Sequence, residues 1–267
     1  MSAQMTTEPE TSTVEVNGFP TRIWSKGTGP KIGFLAGFGG LPRWTPFLDE
    51  LAKSRTVIVP SLPGFPGGDR GHTMLDSHLD WLLAMRQILD LAGLSGADLA
   101  GSSVGASMAA EVAALWPGTV GKLILIAPFG LYDETNPPAD PWAQRGDAVP
   151  GLMCADPEIW KALKTPPEGA NSIEWPIEQV RANEAAARIF WPLGNTRLEK
   201  RLPLIEARTL LLWGENDKVM PLAYADLFAA GISGASTIRV IAGAGHLADL
   251  DKPVEVAGEI QAFLDAG

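Results

Sequence analysis

The sequence predicts an α/β fold in which parallel strands alternate with helices. Short apolar runs rich in branched residues, each closed by Gly or Pro, are separated by longer stretches with helical periodicity, as in successive βαβ units. Because the runs are short and apolar throughout, we expect strands that are buried on both faces of the sheet. The runs span residues 32–36, 56–59, 97–101, 123–127, 209–213 and 238–241.

A hairpin precedes these runs, and two helices stand out between and after them. Residues 13–16 and 21–24 flank Asn17-Gly18, a pair that suits the tight turn of a β-hairpin. Residues 253–264 predict a closing helix with proline in its first turn. Residues 74–91 predict a helix whose apolar stripe consists of Leu75, Leu79, Leu82, Leu83, Ile88 and Leu91.

Residues 131–202 break this alternation. The stretch is rich in proline and tryptophan and lies between two predicted strands, so we interpret it as a mainly helical insertion. Residues 1–130 and 203–267 then form the core of the fold. The tryptophans of the insertion suggest an apolar or aromatic substrate pocket and are Trp142, Trp160, Trp175 and Trp191.

The composition favours a packed cytoplasmic protein. Hydrophobic residues make up 46% of the 267 residues, and 31 acidic side chains outnumber 21 basic ones. An acidic surface repels phosphate backbones and anionic headgroups, so we expect neither nucleic acid nor a membrane as a partner. Cys154 is the only cysteine, which excludes an intrachain disulfide and Cys₄ or Cys₂His₂ zinc sites. Residues 1–13 lack the basic and apolar regions of a signal peptide, and no apolar segment is long enough to cross a bilayer.

The segment Gly101-Ser102-Ser103-Val104-Gly105 is the first candidate for chemistry. It matches Gly-x-Ser-x-Gly, the pattern of a strand-to-helix turn that presents a serine above the edge of a sheet. Small residues two places on either side let helix and strand pass close to the turn. A buried strand precedes the segment and a helix of small residues follows it. We therefore predict that Ser103 is a nucleophile rather than part of an ordinary glycine turn.

His246 is the predicted general base. It follows the last predicted strand through a glycine loop, which places it at the carboxyl edge of the sheet together with Ser103. The other two histidines are interpreted as a loop residue, His72, and a helix residue, His78.

Asp217 is the predicted orienting carboxylate. It follows a buried strand and completes the chain order Ser–Asp–His. Glu215, nearer the strand, and Asp133, after an earlier strand, remain competitors. Asp249 and Asp251 lie too near the histidine along the chain to be favoured as its partners.

The loop Gly37-Phe38-Gly39-Gly40 follows the strand predicted at residues 32–36. Such a loop exposes backbone N–H groups that can stabilise the oxyanion of a tetrahedral intermediate. We expect the amides of Phe38 and Val104 to be the two donors.

Taken together, these segments resemble the α/β-hydrolase superfamily over essentially the whole chain. The resemblance is carried by Leu35-Ala36-Gly37-Phe38-Gly39, Leu62-Pro63-Gly64-Phe65, the serine turn, Leu211-Leu212-Trp213-Gly214-Glu215-Asn216-Asp217 and Gly243-Ala244-Gly245-His246. It implies the α/β-hydrolase fold, a mostly parallel eight-stranded sheet with helices on both faces. It also implies a helical cap inserted after strand 6, at residues 131–202, and chemistry without a cofactor or metal. Ala36 and Pro60 depart from the family pattern, which often has His and an acidic residue there.

A serine at the turn points to acyl chemistry. Members of this superfamily that open epoxides or displace halide carry Asp there, because serine attack on saturated carbon would leave an ether that water does not readily cleave. We therefore expect a serine hydrolase of small to medium apolar or aromatic carboxylic esters, with a small molecule as its partner.

Two other functions are weighed against ester hydrolysis. The first is hydrolysis of a carbon–carbon bond in ring-cleavage diketones. Relatives with that activity usually carry Trp after the catalytic His, whereas this chain has Leu247, a further candidate pocket residue. The second is a ligand receptor built on the same fold, which is disfavoured because no member of the predicted triad is missing.

Overall fold

The computed structural model describes residues 8–266 and contains an eight-stranded mixed sheet. Its strands are β1 (Glu10–Val16), β2 (Phe19–Lys26), β3 (Lys31–Leu35), β4 (Thr56–Pro60), β5 (Asp98–Ser102), β6 (Leu123–Ile126), β7 (Thr209–Gly214) and β8 (Ser236–Ile241). Across the sheet they follow the order β1-β2-β4-β3-β5-β6-β7-β8. β2 pairs antiparallel with β1 and β4, and the remaining neighbours are parallel. The predicted mostly parallel, eight-stranded sheet is confirmed.

The N-terminal hairpin turns at Asn17 and Gly18, as its sequence predicts. Their φ angles are 50° and 82°, the left-handed values that a two-residue turn of type I′ requires. Asparagine and glycine adopt this region at low cost, so the local sequence alone specifies the turn.

Helices cover both faces of the sheet because its central strands are apolar on both faces. Within residues 8–266 the α-helices are α1 (Pro46–Ala52), α2 (His78–Leu91), α3 (Val104–Leu115), α4 (Val149–Met153), α5 (Pro157–Lys164), α6 (Glu174–Phe190), α7 (Ala223–Gly231), α8 (Ala248–Asp251) and α9 (Pro253–Asp265), of which α4 to α6 belong to the segment between β6 and β7. In β6, Leu123 and Leu125 pack into the cluster that includes α2, α3 and α7. Ile124 and Ile126 point to the other face and pack with α1 and α9. This alternation follows from the two-residue period of a strand.

The first long helix differs from its prediction in start and phase. It begins at His78 rather than residue 74, because Ser77 and Asp80 form a reciprocal capping box at its N-terminus. Of the predicted stripe, Leu79, Leu83 and Leu91 are exposed. The buried face consists of Trp81, Leu82, Ala84, Met85, Ile88 and Leu89. The predicted helix therefore has the wrong rotational phase, because the leucine pattern does not include Trp81 and Met85, which face the core.

The segment between β6 and β7 contains α4, α5, α6 and short 3₁₀ turns. Proline occupies the first turn of α4 and of α5, where its missing N–H costs nothing, and Asp156 caps α5 through the amide of Glu158. The amide of Leu247, in the loop after β8, donates to Met153 O at 2.8 Å and so ties this segment to the core. None of the helices within residues 8–266 combines the length and the apolar character that crossing a bilayer requires.

Candidate active site

Ser103 lies in a strained turn between β5 and α3. Its φ of 51° and ψ of −114° are rare for a residue with a side chain, and its amide donates to Ile126 O at 2.7 Å. A Cβ atom on Gly101 would lie 2.5 Å from Gly105 O, and one on Gly105 would overlap the carbonyl oxygen of Leu35. The two glycines are therefore required by the close approach of strand and helix.

A continuous hydrogen-bonded chain joins Ser103, His246 and Asp217. His246 Nε2 lies 2.8 Å from Ser103 Oγ, and His246 Nδ1 lies 2.9 Å from Asp217 Oδ2. The other carboxylate oxygen of Asp217 accepts from the amides of Val219 at 2.8 Å and Met220 at 2.9 Å. Both the imidazole and the carboxylate are buried. The three side chains predicted to act together thus meet, although Ser103 and His246 are 143 residues apart.

The loops after β7 and β8 hold Asp217 and His246 in register with each other. Asn216 N donates to Ala244 O at 2.8 Å, and a Cβ on Gly214 would overlap Gly245 O. Glu215, the near competitor for the acid position, instead accepts from the amide of Gly243 at 2.9 Å. It therefore braces the histidine loop from outside.

Asp133, the remaining competitor for the acid position, forms its hydrogen bonds away from Ser103 and His246. The same is true of the other two histidines. Asp133 accepts hydrogen bonds from Thr135 and Asn136. His78 Nε2 lies 3.0 Å from Glu111 Oε1, and the buried His72 lies 3.5 Å from the Glu184 carboxylate. His246 is the histidine that contacts Ser103.

A second buried contact joins the serine turn to the histidine loop, and sequence reasoning missed it. Ser102 Oγ donates to Asp249 Oδ1 at 2.7 Å, with both side chains almost completely buried. Burial raises the pKa of Asp249 to about 6, although the Ser102 hydroxyl and the nearby His246 act in the opposite direction. Asp251 Oδ2 accepts from the amides of Ala155 and Gly245. The sequence offered no signal for the Ser102–Asp249 pair beyond the closeness of Asp249 to His246.

The loop after β3 lies directly against the serine turn. A Cβ on Gly37 would lie 3.2 Å from Ser102 Oγ and 2.9 Å from Leu247 Cδ2, so a side chain there would press against both groups. Phe38 follows and is buried. Val104 is the first residue of α3, where a backbone N–H has no partner within the helix. The residues whose amides were predicted as oxyanion donors therefore belong to two adjacent segments.

Two of the four predicted pocket tryptophans lie beside Phe38. The ring of Trp142 lies 5.3 Å and that of Trp160 6.1 Å from the Phe38 ring, between centroids. Phe129, which the sequence did not single out, lies 5.5 Å from the His246 ring. Leu247 is buried against Gly37.

The other two predicted pocket tryptophans make different contacts, and their role in substrate binding stays a prediction. Trp191 follows the end of α6 and is 60% exposed. Trp175 donates through its indole N–H to Lys164 O at 3.0 Å and faces the Arg43 guanidinium. Their positions are decided by which face of a helix packs inward, which a count of tryptophans does not reveal.

Lys164 is a further residue near the site that sequence reasoning missed. Its Nζ donates to Gly39 O at 2.8 Å and to Gly40 O at 3.2 Å, and it lies 4.7 Å from the Trp160 ring centroid. Burial lowers the pKa of Lys164 to about 7. A lysine at the end of α5 carries no motif, so its position could only come from the fold.

The chain is similar to several known hydrolases and to an acyltransferase component. It is 28% identical over 258 residues to the dihydrolipoyllysine-residue acetyltransferase component of the acetoin cleaving system of Cupriavidus necator. That match covers 89% of this chain and 64% of the relative, so the chain spans less than two thirds of the relative's length. It is 25% identical over 265 residues to 2-hydroxymuconate semialdehyde hydrolase of Pseudomonas sp., covering 92% of this chain and 91% of that protein. A solved membrane phospholipase A, described as a bacterial virulence factor, matches with a TM-score of 0.72 at 25% identity, covering 96% of this chain and 86% of its own.

A profile of the Alpha/beta hydrolase family matches residues 34–259, which include the serine turn and both loops that bear its partners. The sheet order and the turn at Ser103 agree with that match. The chain therefore belongs to the alpha/beta hydrolase family.

Proposed function

We propose that this serine hydrolase cleaves carboxylic esters through an acyl-enzyme formed on Ser103. One observation carries the proposal: a single hydrogen-bonded chain runs from the Ser103 hydroxyl through His246 to Asp217, with distances of 2.8 and 2.9 Å. Acyl transfer requires a base within hydrogen-bonding distance of the nucleophile and an acid that orients the base, and this chain provides both.

In the first half of the reaction, Ser103 Oγ attacks the ester carbonyl carbon while its proton passes to His246 Nε2. Asp217 keeps the Nδ1 proton of His246 facing it, and so stabilises the imidazolium that forms. The tetrahedral intermediate collapses as the alkoxide leaves and takes the proton from His246. In the second half, water gives its proton to His246 and attacks the acyl carbon, and the acid leaves as Ser103 regains its hydrogen.

The negative charge of the tetrahedral intermediate needs donors beside Ser103. We assign this role to the amides of Val104 and Phe38. Val104 N is free of helical partners as the first amide of α3, and Phe38 lies in the loop packed on the serine turn. Removing one donor of this kind typically costs about 10²–10³-fold in rate.

The aromatic surroundings favour a small apolar or aromatic substrate. The rings of Phe38, Trp142 and Trp160 are neighbours, and Phe129 faces His246. The matched structure at 25% identity is that of a membrane phospholipase A, a name that agrees with ester hydrolysis.

Covalent labelling with a fluorophosphonate tests the proposal directly. We expect one adduct, on Ser103, located by mass spectrometry of the digested protein. Ser103→Ala should abolish the adduct and lower turnover of a short-chain 4-nitrophenyl ester by about 10⁴-fold or more. Ser107→Ala is the matched control: this buried serine one turn along α3 bonds to Phe129 O, and its loss should leave labelling intact. An intact protein without an adduct would support the receptor hypothesis instead.

Hydrolysis of a carbon–carbon bond is the second candidate, favoured by the similarity to 2-hydroxymuconate semialdehyde hydrolase along nearly the whole chain. A ring-cleavage diketone absorbs visible light and bleaches when it is cleaved. We expect ester turnover to exceed bleaching in kcat/KM. A higher kcat/KM for the diketone would reverse this order while leaving Ser103 in its role.

A further inference from the structure

A cavity of about 200 Å³ lies beside Phe38, between the loop after β3 and the segment that joins β6 to β7. It is adjacent to the proposed oxyanion donor and is therefore placed to hold part of a substrate. Aromatic rings and polar side chains share its wall. The lining residues are Phe38, Gly39, Gly146, Val149, Trp160, Lys164, Gln179 and Asn183.

The charged and amide groups of this wall include hydrogen-bond donors that lack acceptors. An ammonium has three N–H bonds, and Lys164 uses two of them on Gly39 O and Gly40 O. Gln179 Nε2 is buried without a hydrogen-bond partner. Buried donors of this kind are costly unless something accepts from them.

No carboxylate occurs among the described residues that line the cavity. Glu178 is the nearby acidic residue whose charge acts to raise the pKa of Lys164, but its carboxylate already contacts other groups. Its Oε1 accepts from the amide of Gly67 at 3.3 Å and lies 3.7 Å from Arg181 Nη2. The cavity therefore presents one cation and one orphan amide donor without a balancing anion. A carboxylate on the ligand complements both, because it accepts several hydrogen bonds and restores the charge of a desolvated lysine.

We propose that the substrates of this enzyme carry a carboxylate in addition to the scissile ester, and that Lys164 and Gln179 bind it while Ser103 attacks. This inference rests on the proposed ester hydrolysis and adds the substrate class, monoesters of dicarboxylic acids. The apolar rings of Phe38 and Trp160 then cover the methylene chain between the two functional groups.

Calorimetric binding to the Ser103→Ala variant tests the carboxylate site without turnover. The ligands are monomethyl esters of dicarboxylic acids in a series of chain lengths, each paired with the methyl ester of the monocarboxylic acid of equal length. We expect at least one charged ligand to bind roughly tenfold more tightly than its neutral partner, as one charge-assisted hydrogen bond provides. Equal affinities throughout the series, or no binding of any charged ligand, would overturn the inference.

Variants of Lys164 assign that preference to its charge. In the Ser103→Ala background, Lys164→Met should bring the affinity ratio of charged to neutral ligand close to one, and Lys164→Arg should retain most of it. Lys161→Met is the matched control, because Lys161 lies on the same helix but is exposed and pairs with Glu158. Gln179→Met should lower the ratio by a smaller factor. A ratio that survives Lys164→Met would contradict the assignment.

The pH dependence gives a further check. Lys164 carries its charge below about pH 7, so the preference for the charged ligand should be largest there and fall as the pH rises through that value. A preference that rises with pH from pH 6 to pH 9, where the ligand carboxylate stays ionised, would contradict the role of Lys164.

Turnover by the wild-type enzyme distinguishes the failure of the carboxylate site from the failure of ester hydrolysis. Hydrolysis of the neutral methyl esters without a preference for the charged ones would refute the carboxylate site alone. Absence of any ester turnover and of a Ser103 adduct would refute ester hydrolysis, whatever the binding data show.

Discussion

The edge of the sheet and the segment that follows β6 place their functional side chains in different ways. At the edge, Ser103, Asp217 and His246 each follow a parallel strand within a few residues, and backbone contacts between the loops set their distances. In the segment, side chains reach the site from helices, and the inward face depends on packing. Trp160 faces Phe38, whereas Trp191 lies at the surface.

The difference shows for which residues the local sequence is enough to predict the position of the side chain. Parallel strands bring their carboxyl ends to one edge, so a residue just after a strand is placed by topology. A helix offers several faces to its neighbours, so a tryptophan or lysine on it is placed by tertiary packing alone.

The sharpest test of the sheet edge compares two carboxylates that lie two residues apart. Asp217→Asn should lower kcat for a 4-nitrophenyl ester by about 10⁴-fold, because the amide cannot hold the required tautomer of His246. Glu215→Gln should change kcat only a few-fold, since its amide oxygen can still accept from Gly243 N. Equal losses in the two variants would mean that loop integrity, not the orienting carboxylate, limits the rate.

A pair of glycines in helices tests the strained turn. Gly105→Ala should lower the free energy of unfolding by about 3 kcal/mol or more, because the new methyl group overlaps the carbonyl oxygen of Leu35. Gly258→Ala in α9 meets open space and should raise it by about 0.5–1 kcal/mol. Urea denaturation measures both. If Gly105→Ala proved neutral, the close approach of strand and helix would not be a constraint.

The Ser102–Asp249 contact predicts a pH-dependent change in stability. Between about pH 4 and pH 6 the unfolded chain loses the Asp249 proton while the folded chain keeps it, so folding weakens as the pH rises. Asp249→Asn retains an acceptor for Ser102 Oγ and should therefore stabilise the protein by up to about 3 kcal/mol at pH 7 and by little at pH 4. Urea midpoints across this range measure the effect. The exposed Asp226→Asn serves as control, and a gain that does not vary with pH would count against a buried, titrating Asp249.

The smallest expected effect distinguishes the tryptophans of the segment between β6 and β7. Trp160→Leu should raise KM for an aromatic ester by roughly tenfold, because it removes a ring beside Phe38. Trp191→Leu should leave KM within about twofold, since the ring is exposed. Steady-state kinetics measure KM for both variants. Similar changes in KM would mean that packing against Phe38 does not distinguish the two tryptophans.

Most of the core could be predicted from the sequence, and most of what surrounds the site could not. The strands were found because apolar runs covered on both faces are recognisable without knowing their neighbours. The helix predicted at residues 74–91 was shifted, because capping at Ser77 and burial of Trp81 set its phase. Lys164 and Asp249 were missed because their partners, Gly39 O and Ser102 Oγ, are more than 120 residues away.

The sheet, the strained serine turn and the chain order of serine, acid and histidine follow from the residue pattern, because they depend on strand topology and on the steric demands of Gly101 and Gly105. Which carboxylate faces His246, Asp217 or Glu215, and the position of Lys164 in the wall of the cavity beside Phe38 depend on the packing of distant segments. The physical reason is that a hydrogen bond between distant segments depends on distances of a few tenths of an ångström, which packing sets and residue patterns do not encode.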